Sequence, residues 1–141
     1  MYDLDRFVKA QEKMYDIALN EIKNGKKISH FMWYIFPQLK GLGYSEISNY
    51  YGISCLEEAK EYLEDEILGN RLYNITLELL KIDEDDPINI FGNVDALKLK
   101  SSMTLFDIVS DDEIFYDVLK KYYGGKKDER TIALLGKKKM R

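Results

Sequence analysis

The segment 95–106, "DALKLKSSMTLF", is rich in groups that can do chemistry, among them a carboxylate at Asp95, an amine at Lys98 and a hydroxyl at Ser102. At steps of three and four residues these three share one face of a helix, with Ser101 beside them, and Thr104 adds a further hydroxyl to the segment. Polar groups on a partly buried face either satisfy nearby backbone or line a pocket. Imidazole is the side-chain group suited by type to acid–base work near neutrality, and the chain has one, at His30. It opens "HFMWYIFPQ", the most aromatic run of the chain, which holds the single tryptophan, Trp33, and ends at Gln38. One reading makes this run core. The other puts His30, Trp33 and Gln38 on a pocket rim, with a ring stacking on a flat ligand. In a catalytic site His30 or Asp95 would move the proton and Lys98 would stabilise developing charge.

Two glycine-containing loops each lead into an expected helix start: "KGLGYSE" at 40–46, with Gly41, Gly43 and Ser45, and "YYGGKKDERT" at 122–131, with Gly124 and Gly125. Helix N-termini present unpaired N–H groups, and glycine lets backbone approach an anion closely. Lys40, Lys126 and Lys127 add positive charge there. The plainer alternative is that these glycines turn the chain and cap helices. Neither loop has the spacing of a Walker motif or a dinucleotide fingerprint. No Ser-His-Asp or Cys-His constellation is legible, and Cys55 has no flanking cue of activation. One Cys and one His cannot build a zinc site, so no metal or cofactor is expected.

Helical periodicity supplies the elements that would position these groups. Leu4, Phe7, Gln11, Met14, Ala18 and Ile22 form one stripe, with Asp3 placed to cap it and Gly25 to end it. Ser29 stands in N-cap position before the aromatic run, which fits a short helix or a buried strand and stops at Pro37. Ser45 caps a helix through Tyr51. Ser54 with Glu57 reads as a capping box. Leu68, Leu72, Ile75 and Leu79 form the next stripe, Pro87 starts a turn, and Asn93 caps a helix to about Val109. Ser110 with Glu113 reads as a second capping box, and "YYGG" ends that helix. The expectation is a mainly α, compact single domain over 1–136, with seven or eight helices, and a basic tail at 137–141.

At 141 residues, 45% hydrophobic and 33% charged, the chain can bury a sizeable core. Its net charge of −4 argues against duplex DNA as a partner. A lone cysteine, an acidic start and the lack of a 20-residue apolar run predict a soluble cytoplasmic domain without a membrane span.

The ordered blocks "RFVKAQ", "SHFMWYIFPQLKGLGYS", "LGNRL", "IFGNVDALKLKSSMTLF" and "YYGGKKDERTIALL" resemble the bacterial domain-of-unknown-function 1810 family over residues 4–135. The resemblance implies a mainly helical fold and brings no activity with it. Its motif positions fall on His30, Trp33, Phe36, Pro37, Gln38, Gly41, Gly43 and Ser45. They continue on Gly69, Arg71, Phe91, Gly92, Asp95, Lys98, Ser101 to Thr104, and Phe106, then Gly124, Gly125, Asp128 and Thr131. Many of these are polar or glycine, a composition that suits a site. The expected function is binding of a phosphorylated, nucleotide-like small molecule, with an ADP-ribose- or NAD-related compound inside that class. Arg71 or Lys98 would help with the phosphates. The catalytic form of this expectation is hydrolysis or transfer of that ligand at a glycosidic or phosphate bond. The alternatives are a non-catalytic domain that sequesters a nucleotide and a protein-interaction module.

Overall fold

The computed structural model describes residues 2–139. Among them are eight helices and no strand: α1 (Asp5–Lys23), α2 (Met32–Ile35), α3 (Glu46–Tyr51), α4 (Leu56–Glu64), α5 (Glu66–Lys81), α6 (Pro87–Val109), α7 (Ile114–Tyr123) and α8 (Glu129–Lys139). The mainly α expectation holds. The stripes do what their spacing demands. Phe7, Ala18 and Ile22 of α1, and Leu68, Leu72, Ile75 and Leu79 of α5, are at most 1% exposed, and the two helices pack on each other. A chain of rings crosses the core: Phe7 to Tyr62 at 5.1 Å edge-on, Tyr62 to Phe106 at 5.4 Å, and Phe106 to Phe115 at 5.8 Å. It ties α1, α4, α6 and α7 together, each contact worth about 0.5–1.5 kcal/mol beyond simple burial.

Helix ends depart from the expectation more than helix bodies. Leu4, not Asp3, is the N-cap of α1. Ser29 caps nothing; the amides of Ile28 and Ser29 and the Ser29 hydroxyl all donate to Glu21 at 2.6–2.8 Å. Burial pushes the Glu21 carboxyl up, but these bonds outweigh it and hold it below its ordinary value. Cys55 is the N-cap of α4, which makes Glu58 its third residue. The Ser54 amide and hydroxyl therefore donate to Glu58 and not to Glu57, at 2.7 and 2.9 Å. Before α7 the Ser110 hydroxyl accepts from the Asp112 amide, and Asp112 accepts from Ile114, so Glu113 closes no box. Ser45 does cap α3, accepting from Ser48 at 3.2 Å. Asp86 caps α6 ahead of Pro87. α8 runs past Gly136 to Lys139, and residues 140–141 of the expected tail lie outside the described residues.

Two backbone features aim the functional segments. Gly92 interrupts α6 at φ 80°, ψ 171°, a region open essentially to glycine alone. The aromatic run is a single helical turn, not a strand, and is followed by an isolated parallel bridge between Leu39 and Ile53. A Cβ on Gly52 would stand 2.6–2.9 Å from Lys40, so only glycine lets these chains meet. No helix among the described residues is long and apolar enough to cross a membrane.

Candidate functional site

Position 33 is fixed from beneath. Phe31, Met32, Ile35 and Phe36 are all buried, leaving Trp33 half-buried at the surface of the turn. The Lys27 amide donates to Ile90 at 2.8 Å, which fastens the segment before α2 to the start of α6. Across this junction Lys27 and Lys98 converge on one carboxylate, Asp95, at 2.7 and 3.1 Å. Burial alone would raise the Asp95 carboxyl, but hydrogen bonds from Lys27 and Lys98 outweigh it and keep it below its ordinary range. Asp95 is thus a fixed anion. Held by it, the Lys98 ammonium sits 3.9 Å from the centroid of the Trp33 ring. This is a cation–π contact in a partly desolvated place.

On one side of the Trp33–Lys98 pair lies a niche of about 40 Å³ lined by Lys27, His30, Asp95, Lys98 and Trp33. His30 itself is exposed and makes no side-chain hydrogen bond among the described residues. On the other side opens a cleft of about 240 Å³. Its walls are Trp33, Leu42, Val94 and Leu97, and its polar groups are Gln38, Lys98, Ser101, Asp128 and Arg130, with Gly43 at the edge. Val94, Leu97, Lys98 and Ser101 are spaced i, i+3, i+4 and i+7, so one face of α6 forms a whole wall.

The far wall is the start of α8. The Asp128 carboxylate accepts from the amide and hydroxyl of Thr131 and from the Ser101 hydroxyl at 3.0 Å. The Asp128 amide donates to Thr104 at 2.9 Å. Asp128 is therefore the cap of α8 and its cross-link to α6. Arg130 donates to the Leu42 carbonyl at 2.8 Å, bridging α8 to the loop that follows the aromatic run.

Of the residues singled out in the sequence, Trp33, Gln38, Gly43, Lys98 and Ser101 come together in the cleft, with His30 and Asp95 just behind. Others do not. Ser102 is fully buried, its hydroxyl unpartnered among the described residues. Thr104 is buried too and spends its hydroxyl on Lys100 and Asp128 backbone. Gly41, at φ 106°, lies against Leu134, and Ser45 is a cap. Gly124 ends α7 in the left-handed conformation, and Gly125 approaches the Tyr116 hydroxyl, so neither glycine lines a cleft. Arg71 sits elsewhere, on α5, 3.4 Å from Gln11 and over the Tyr15 ring. Cys55 does have a cue. Burial pushes its thiol up, yet the hydrogen bond it shares with the Tyr2 hydroxyl at 3.1 Å and those at the start of α4 hold it below the ordinary value. It is not a wall of the cleft. Leu42, Val94, Leu97 and Arg130 were not legible as site residues. Val94 and Leu97 had one signal, apolar side chains flanking Lys98 on a face that also carries Ser101.

This arrangement offers an apolar slot with a few directed donors and acceptors and two cations at its rim. A comparison with curated proteins gives no match. The crystal structure of the conserved hypothetical protein Rv1873 from Mycobacterium tuberculosis superposes with a TM-score of 0.94 at 47% identity. The match covers 96% of this chain and 97% of that one. The family described as protein of unknown function (DUF1810) matches residues 1–135, and the chain belongs to it.

Proposed function

We propose that the cleft beside Trp33 binds a phosphorylated small molecule carrying a base or ribose. The observation that carries this reading is the convergence, in one slot, of an apolar wall with a few polar groups. Slots of this make-up are the usual form of small-molecule sites. A flat ring lies against Leu42, Val94, Leu97 and the indole. Gln38 and Ser101 give it directed hydrogen bonds, and Lys98 and Arg130 face its charge. The glycine loops play a smaller part than their sequence suggests, because only Gly43 reaches the slot. An ADP-ribose- or NAD-related ligand fits the class.

The niche supports a second, catalytic reading. At about 40 Å³ it exceeds the roughly 10–15 Å³ that one ordered water requires, and His30 lines it. Asp95, held ionised by two lysines, positions Lys98 and does not serve as the acid. His30 is the remaining acid–base group for hydrolysis at a glycosidic or phosphate bond. A thermal-shift panel of nucleotides, NAD and ADP-ribose tests both readings. A ligand at 100 times its Kd adds about 2.7 kcal/mol of stability. No shift with any member contradicts the slot reading. Any hit is then recovered by chromatography after incubation with wild type and with His30→Ala. Return of the compound intact from both disposes of catalysis and leaves a binding domain.

A further inference from the structure

The cleft, at about 240 Å³, falls below the roughly 300–1,000 Å³ that encloses a whole small ligand, so part of a nucleotide must lie outside it. The wall formed by Asp128 and Arg130 is shared with a second, more open trough of about 490 Å³. That trough is also lined by Lys100, Lys126 and Lys127, against Glu129. Four cations thus meet two carboxylates on one patch of a chain whose net charge is −4. The acidic side of that count is partly occupied. The Asp128 carboxylate already takes three hydrogen bonds, from Ser101 and Thr131. Among the cations Lys127 pairs with Asp107 at 3.4 Å, whereas Lys100, Lys126 and Arg130 have no carboxylate partner among the described residues. Arg130 spends one amino group on the Leu42 carbonyl, and the rest of its five-donor fork stands at the boundary of the two cavities.

We propose that this trough is the phosphate subsite of the cleft, and that the ligand is a nucleotide with at least two consecutive phosphates running past Arg130 to Lys100 and Lys126. The inference rests on the reading of the cleft as a slot for a base or ribose. A single phosphate would reach no farther than Arg130 and Lys98. A second one moves into the field of Lys100 and Lys126, where charge-assisted bonds are about twice as strong as neutral ones.

Calorimetric titration of adenosine and guanosine mono- and diphosphates, with inorganic tripolyphosphate as a base-free probe, tests this on wild type and on Lys100→Gln/Lys126→Gln. In wild type a diphosphate should bind about tenfold tighter than its monophosphate, and its affinity should fall more steeply with added salt. The double variant should bring the two within about twofold of each other while leaving the monophosphate unchanged. Equal binding of mono- and diphosphate to wild type, or a preference that survives in the variant, overturns the subsite and leaves the cleft reading standing. Tripolyphosphate binding that the variant loses, with no nucleotide bound, overturns the cleft reading and upholds the trough as an anion site. No binding of any probe overturns both.

Discussion

Asp95 shows how one side chain can be central to a site without reacting in it. Lys27 comes from the segment before α2 and Lys98 from α6, so their shared carboxylate joins two parts of the chain. Removing the charge leaves two ammonium groups near each other and frees Lys98 from its place over Trp33. Asp95→Asn should therefore cost about 1–3 kcal/mol at neutral pH. The pH dependence has a definite sign. The folded carboxyl lies below its ordinary value of 3.8, so its contribution is present above that value and is lost as pH falls through the lower folded one. Urea denaturation of both proteins between pH 7 and pH 2.5 should show a constant gap that closes only at the acid end. A gap that instead widens with acid contradicts the arrangement. At this scale the sequence was informative about type and not about direction. Asp95, Lys98 and Ser102 do share a helical face, yet that face is turned so that Ser102 enters the core while Val94, Leu97 and Ser101 line the cleft. One residue of helical rotation, about 100°, separates the two outcomes, and only the packing of α6 on its neighbours sets it.

Among the elements, α6 places most of the site, and Gly92 decides its course. Ile90 and Phe91 before the break are buried, as are Ala96, Leu99, Met103 and Phe106 after it, and an unbroken helix could not aim both sets inward. Nothing lies within 4 Å of a Cβ built on Gly92, so the effect of a side chain there is purely conformational. Gly92→Ala should destabilise by about 1–3 kcal/mol with an unchanged denaturant slope, read by urea titration. A neutral substitution would mean that the break is not needed. Helix bodies were legible because burial enforces a 3.6-residue period that polar substitutions cannot hide, as in Leu68, Leu72, Ile75 and Leu79. Helix ends were less so. A serine with the spacing of a cap serves a carboxylate instead where one is in reach, as Ser29 does with Glu21 and Ser54 with Glu58. The choice depends on tertiary distances that spacing does not encode.

On the scale of the molecule, the site is a seam where three distant stretches meet: the turn around Trp33, the α6 face and the start of α8. Arg130 and Leu42 are 88 residues apart yet joined directly, and Ser101 and Asp128 are 27 apart. No local pattern announces such a seam, which is why Leu42 and Arg130 escaped the sequence while Trp33 and Lys98 did not. The chain carries a single tryptophan, and it stands in this seam. Its fluorescence, excited at the red edge of the indole band where nucleotides do not absorb, reports on the cleft and on the niche beside it, both of which it lines. Titration with nucleoside diphosphates and ADP-ribose should change the emission saturably for at least one of them. In Arg130→Ala the same change should require about tenfold more ligand. Emission that stays flat while calorimetry shows binding, or no binding of any of these compounds, would contradict the assignment of the cleft as the ligand site.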